Sequence, residues 1–336
     1  MKLDTKLIKE TKELKNNVFV GSQLISFDDD ETVAIVTILN EEMEELGDRS
    51  FGIDLNTFRL LKSLDECDIE YDDFSNQLII KIGKNKKYKT KTIKHSIPAL
   101  IESEFTGNIV IDGYKLQTAK SFTATTESRP ILTGVAITNN KNIFASDSYK
   151  AYRYLASDEE PITTIVVPSL YLSLINCNKD VEISYSDKVI CVIEENRFTY
   201  GRLLSGEYPL KPINSFFDNN VLIDINKLDF QYDDILENIN LSKNVGDDNG
   251  KIKPRLLLEG TYFKVESASI YEANIKVSWN EERKGYHLLF DLTLAKELFQ
   301  FAKKLNGNIY IKEMGSASQL LIVNQQESML YCSLRG

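Results

Sequence analysis

The chain has 336 residues, 42% of them apolar and 10% aromatic, with a formal net charge of −10. Such a composition excludes disorder over most of the length and leaves room for two or three domains. It also excludes a protein that coats nucleic acid through overall basicity, while leaving open a basic cleft inside an acidic body.

From the N-terminus, Leu3, Leu7 and Leu14 fall at helical spacing with Lys2, Lys6 and Lys9 on the opposite side, which predicts a helix over 4–15. An extended stretch over 18–25 follows. A helix over 55–64 is predicted, capped by Asp54, then an acidic turn at 68–71 and a strand at 78–82. The order recurs. A helix over 114–125 precedes Pro130-Ile131-Leu132-Thr133-Gly134-Val135, a helix over 170–176 opens after Pro168 and Ser169, and strands follow at 181–185 and 189–193. A third pass gives a helix over 226–240, a strand at 255–258, a helix over 293–305 and strands at 309–311 and 320–323. Gly134 lies 113 positions after Gly21, Tyr185 lies 114 after Tyr71, and Val189 lies 111 after Leu78. A shared period near one third of the chain indicates three copies of one α+β domain, each with two helices packed on antiparallel sheets, over 1–103, 104–213 and 214–336. Chance recurrence of common α+β patterning is the alternative.

The cysteines at 67, 177, 191 and 332 show neither CxxC pairing nor metal-like spacing, so they read as reduced, mostly buried thiols. His95 and His287 have no partner at a ligand interval, and no metal or cofactor is expected. The first 17 residues lack the apolar core of a signal peptide, and no run is long enough to span a membrane. A cytoplasmic protein without membrane contact is expected.

Basic residues gather on the predicted helices: Lys2, Lys6, Lys9 and Lys12 on the first, Arg59 and Lys62 on the second, Lys115 and Lys120 on the third. The last helix carries Lys296, Lys303 and Lys304 and packs through Leu294, Leu298, Phe301 and Leu305. Lysines spread along a common face meet phosphates as mobile point charges and read no bases. For any single lysine, an ordinary solvated helix face is the competing reading. Residues 169–175 contain no basic residue, and the predicted 226–240 helix holds Asp229, Asp233, Asp234 and Glu237, so DNA contact is expected to be uneven.

The phrases at 128–135, 145–151, 166–170 and 202–209 resemble those of the bacterial sliding clamp, the β subunit of DNA polymerase III. That family carries wording close to TRPILTGV, ATDSHRLA, VVPSKSL and RLIxGxYPDY, in this order. The closing residues 329–336 resemble the family's last strand, and the first third matches in pattern alone. The resemblance implies a DNA clamp fold, three copies of one domain, with two subunits closed head-to-tail around double-stranded DNA. It implies a polymerase catalytic subunit and a clamp loader as partners, bound through a groove between the second and third domains. Carried over by position, the groove comprises Leu132, Ser146, Ser148, Tyr149, Lys150, Ala151, Pro212, Ser316, Ser318, Leu330, Tyr331, Cys332, Leu334 and Arg335. Arg129 is expected to approach DNA, and Lys15 or Asn16 to do so in the first domain. The chain departs from the family at Tyr149-Lys150-Ala151, where His-Arg-Leu is usual, and at Ser333 and Gly336, which replace a proline and a leucine. A shifted peptide preference is expected.

Two other readings stay open. One is a clamp-like adaptor that binds peptides without closing on DNA. The other is an unrecognised hydrolase using Asp147 or Glu207, although a short Asx turn accounts for Asp147 more simply, and no carboxylate pair, nucleophile–base set or phosphate-binding glycine loop is visible.

Overall fold

The computed structural model describes residues 2–39, 49–126, 128–217, 223–224, 232–244, 255–259, 262–267, 271–276, 287–306, 308–314, 317–324 and 326–332. The first third runs β1 (Lys2–Asp4), α1 (Lys6–Glu10), β2 (Asn16–Val20), β3 (Gln23–Phe27), β4 (Val33–Ile38), β5 (Ser50–Ile53), α2 (Leu55–Ser63), β6 (Glu66–Asp72), β7 (Gln77–Ile82) and β8 (Lys86–Lys91). The middle third repeats that order with β9 (Gly107–Ile111), α3 (Gly113–Lys120), β10 (Gly134–Thr138), β11 (Ile143–Ser146), β12 (Lys150–Tyr154), β13 (Thr164–Pro168), α4 (Ser169–Leu172), β14 (Val181–Tyr185), β15 (Val189–Glu194) and β16 (Arg197–Arg202). A connecting helix, α5 (Leu210–Phe217), leads to β17 (Ile223–Asp224), α6 (Tyr232–Asn244), β18 (Arg255–Glu259), β19 (Tyr262–Ser267), β20 (Tyr271–Lys276), β21 (His287–Asp291), α7 (Leu292–Leu305), β22 (Asn308–Met314), β23 (Ala317–Asn324) and β24 (Glu327–Cys332). One strand, a helix, four strands, a helix and three strands thus occur three times.

These elements form two compact units. One comprises Met1–Lys120, Gly134–Lys141 and Ile162–Gly206, the other Ser121–Thr133, Asn142–Pro161 and Glu207–Gly336. In the first unit β1-β6-β7-β8 form a four-stranded sheet, β5-β2-β3-β4-β16-β15-β14-β9 an eight-stranded one, and β10 pairs with β13. In the second, β11-β12-β24-β23-β22-β17 lie in order, with a separate sheet β20-β19-β18-β21. The described ladders between these strands are antiparallel.

The first repeat shows how sequence builds the layers. Asp54 accepts the Thr57 amide at 2.6 Å, satisfying one of the free N–H groups that open α2. Phe58 and Leu61 of α2, Ile8 of α1, Phe19 and Leu24 of one sheet, and Ile69, Leu78 and Ile80 of the other share one buried core. The ring of Phe51 stacks on Tyr71 at 4.5 Å between centroids, joining the two sheets.

Several local expectations change. The first helix is Lys6–Glu10 and not 4–15, because Lys2, Leu3 and Asp4 pair with Asp68, Cys67 and Glu66 as a strand. Thr5 then ties the turn by donating to the Asp65 carbonyl at 2.9 Å, and the backbone is extended again at Thr11. Lys2 therefore sits on a strand, and Lys12 and Lys15 follow the helix. The stretch 18–25 is two strands, turning at Gly21 with φ +53°. Residues 68–71 are strand and not turn: Asp68 and Glu70 are exposed while Cys67 and Ile69 are buried, the period of two that a one-sided sheet imposes. The helices predicted at 114–125 and 170–176 are shorter, at Gly113–Lys120 and Ser169–Leu172. Of the helix predicted over 226–240, residues 226–231 lie outside the described residues, and α6 runs on to Asn244. In α7 the fully buried stripe is Ala295, Leu298, Phe299 and Ala302, with Leu294, Phe301 and Leu305 half buried at its margins.

Candidate functional site

The segment leading into β12 is a tight, self-bonded turn. Asp147 Oδ1 accepts the amides of Tyr149 and Lys150, both at 2.8 Å, and Ser146 Oγ donates to the Lys150 carbonyl at 3.0 Å. The Asp147 carboxylate is therefore committed to an Asx turn. The turn carries Ser148 into the left-handed region at φ +80° and leaves Tyr149 70% exposed at its tip. The Tyr149 carbonyl accepts the Cys332 amide at 2.8 Å, fastening the turn to the end of β24. Arg129, expected to face DNA, donates to Ser148 Oγ at 3.1 Å and so joins this rim.

Strand parity divides the remaining groove residues between two faces. β12 and β24 pair Lys150 with Tyr331 and Ala151 with Leu330, and directly opposite residues share a face. Lys150 and Tyr331 point to the side of α7: Lys150 Nζ reaches Glu297 at 2.9 Å and stands 5.3 Å from the Phe122 ring centroid. Phe122 also packs on Tyr152, Phe301 and Tyr331, all within 5.7 Å between centroids. Burial pushes the Tyr331 phenol well above its ordinary value, with Glu297 and Asp147 adding to the rise. On this side an open cleft of about 220 Å³ is lined by Ser121, Glu297, Gln300, Phe301 and Lys304.

Ser146, Ala151, Arg153 and Leu330 lie on the other face, which α5 adjoins. Arg153 stacks over Phe217 of α5 at 4.7 Å and donates to Asn214 at 3.3 Å. Ser146, Ala151 and Leu330 are buried there, Cys332 is half exposed, and Pro212 of α5 is exposed. Leu132 is buried in a short 3₁₀ turn, Pro130–Thr133, whose carbonyl at 132 accepts the Ala124 amide at 2.8 Å. Ser318 lies on β23, its side chain outside the described residues, as are Ser316, Leu334 and Arg335 entirely. Sequence reasoning missed Gln319, buried opposite Cys332 and donating to its sulfur at 3.4 Å, and missed Glu297. The i, i+2 parity from Ala151 to Arg153 was the available signal; the register with β24 was not.

The cations named from sequence are largely paired. Lys9 meets Asp65 at 2.6 Å, Arg59 meets Glu13 at 2.9 Å, Lys303 meets Asp233 at 2.5 Å, and Lys15 bonds Asp29. Lys62 donates to the Thr11 carbonyl at 2.6 Å, and Lys296 to Asn240 at 2.8 Å. Lys6 and Lys12 are exposed, while Lys115 and Lys120 are half buried on α3. Surface pairs of this kind are worth about 0–1 kcal/mol each, so a phosphate competes with them readily. Cys67, Cys177 and Cys191 are buried and all four thiols are free of disulfides. Among the described residues, no group of three or more His, Cys, Asp or Glu side chains is placed to hold a metal, and no helix is long and apolar enough to cross a membrane.

Similar folds are known. The chain superposes on a putative DNA polymerase III beta subunit from Eubacterium rectale with a TM-score of 0.75 at 15% identity, covering 99% of each chain. The DNA polymerase III beta chain from Streptococcus pneumoniae gives a TM-score of 0.75 at 17% identity, over 100% of this chain and 99% of that one. The DNA polymerase sliding clamp from Bacillus subtilis gives 0.71 at 16% identity, over 100% and 98%. No protein-family model and no curated protein matches the chain. The chain has the fold of these sliding clamps over its full length.

Proposed function

We propose that this protein is a DNA polymerase processivity factor, a non-catalytic clamp that closes with a second copy around duplex DNA and tethers a polymerase. One observation carries the reading. The fourth strand of the first repeat, β4, pairs with the eighth of the second, β16, and β12 likewise pairs with β24. The remaining fourth and eighth strands, β20 and β8, stand at the edges of their four-stranded sheets. A second chain that sets its β8 on β20, and receives the reciprocal pairing, continues the rule and closes the assembly head-to-tail. Closure also covers two sheet edges that would otherwise recruit the wrong partner.

Lysines on the helices then hold the duplex loosely, and topology rather than affinity prevents escape. A short partner peptide, from the polymerase or a clamp loader, lies along the α5 face, with apolar anchors near Leu132, Ala151, Leu330 and Pro212 and polar contacts at Ser146, Ser148 and the Tyr149 rim. Leu334 and Arg335, outside the described residues, are assigned to the same groove by position in the sequence. The three domains divide near 103 and 213, and the protein works in the cytoplasm. Sedimentation at micromolar concentration is expected to give a dimer, and loaded protein to stay on closed circular DNA and leave it on linearisation. A monomer without retention overturns the reading. The ion pairs on Lys9, Arg59 and Lys303 favour one alternative, a peptide-binding adaptor that never closes, which predicts peptide binding in the same monomeric sample.

A further inference from the structure

Among the described residues, a dense block of positive charge without ion pairs lies on β8 and its flanks, not on the helices. Lys84, Lys86, Lys87, Lys89, Lys91 and Lys94 are all exposed, and among the described residues no carboxylate stands within ion-pair distance of any of them. Register sorts them. Asp68, Lys81 and Lys87 share one cross-strand row of the β6-β7-β8 face; Glu70, Ile79 and Lys89 form the next, and Asp72, Gln77 and Lys91 the third. The outer face is therefore acidic along β6 and basic along its β8 edge. Lys81 neutralises Glu70 at 2.7 Å, holding that carboxyl below its usual value, and Lys87 adds to the effect. The edge row makes no ion pair of its own among the described residues, and Lys87 and Lys89 act on Glu70 and Asp72 only across the sheet. Lys87, Lys89 and Lys91 rise in a straight line about 13 Å long at strand geometry, and the acidic row lies two strands away, about 10 Å off, near a Debye length at physiological salt.

We propose that this lysine row is a second nucleic-acid contact, binding the phosphate backbone of duplex DNA on the outer sheet face. Regular point charges with no apolar pocket between them suit a polyanion whose charge repeats. A protein partner is the poorer fit, since protein interfaces are depleted in lysine and enriched in arginine and aromatics. The aromatic residue of the strand, Tyr88, has the opposite parity and lies in the row of buried Ile80.

The test uses the full chain and a linear duplex of about 20 base pairs, which no ring retains, with affinity followed against salt. The triple variant Lys87→Gln/Lys89→Gln/Lys91→Gln keeps the side-chain stems over Ile79. It is expected to weaken binding by about tenfold or more at low salt and to make the log–log salt slope shallower by about 2.7, the value for three phosphate contacts. Lys296→Gln/Lys303→Gln serves as the comparison. Wild-type affinity and slope in the triple variant overturn the proposal, and the lysines then serve only to keep the edge from misassociating. Row-dependent binding of polyglutamate without row-dependent binding of DNA overturns it in favour of an acidic polypeptide. Sedimentation of the unaltered chain reports closure separately: a monomer there, with DNA binding that still depends on the row, removes the clamp reading and leaves this contact standing.

Discussion

The two strand junctions between repeats solve the same problem with different chemistry. At β4–β16 the pairs Ile35–Thr199, Ala34–Tyr200 and Val33–Gly201 make a largely apolar seam, and Tyr171 caps it by donating to the Thr199 carbonyl at 2.6 Å. At β12–β24 the seam carries Lys150 held by Glu297, and Tyr152 donating to a buried Glu327 at 2.8 Å. Burying charge stabilises less than apolar packing of the same volume, because desolvation offsets the attraction. The β4–β16 junction confines its charge to one end, where Arg197, opposite Thr37, meets Glu194 at 2.5 Å with both side chains mostly buried. The polar seam lies under the Ser146–Lys150 turn, where a partner site is proposed, and its ion pair and hydrogen bond restrict the strand to one register.

The largest effect expected at either seam is Phe122→Ala, which empties the contact shared by Tyr152, Phe301 and Tyr331. A loss of about 3–4 kcal/mol in denaturant unfolding is expected; less than half of that means the polar seam is not packed as described. Next comes Glu297→Ala, which strands the Lys150 ammonium, only 10% exposed, at a cost of about 2–3 kcal/mol. The double change Lys150→Met/Glu297→Leu is expected to recover most of it, and a double variant as weak as the single one refutes the desolvation argument. In the apolar seam, Gly201→Ala places a Cβ 2.4 Å from the Tyr171 ring, for a loss of about 1–3 kcal/mol. A neutral result there shows that the seam can open. The smallest effect is chemical. Burial raises the Cys191 thiol beside the apolar seam to about 12 and lifts the Cys332 thiol as well, so access decides, and a thiolate-directed reagent at pH 8 should label half-exposed Cys332 slowly and spare buried Cys191. Equal labelling erases the contrast.

Much of this was legible from spacing. Tyr71 and Tyr185 occupy equivalent ladder positions, opposite Leu78 and Ile190, so that landmark reported a true repeat. Gly21 and Gly134 do not. Gly21 turns a hairpin at φ +53°, whereas Gly134 opens β10 pressed against Leu204 and Val166, and the same residue type served two different purposes. The first helix was over-read because Leu3 satisfies a strand pairing with Cys67 that the local period cannot reveal. The same limit governed the candidate site. The turn at 144–151 was visible as a phrase, but the division of Lys150 and Tyr331 from Ala151 and Leu330 depends on a register set by residues far along the chain, and a shift of one residue would exchange the faces.

Because Lys150 and Ala151 are neighbours on opposite faces, β12 is a party wall with a room on each side. The α5 face, where a peptide is proposed to lie, and the cleft lined by Glu297 and Gln300 are joined through Lys150 of β12, whose ammonium meets Glu297 at 2.9 Å. Whatever moves the wall from one room is felt in the other. A dye attached at the exposed Gln300 position would then register a guest it never touches.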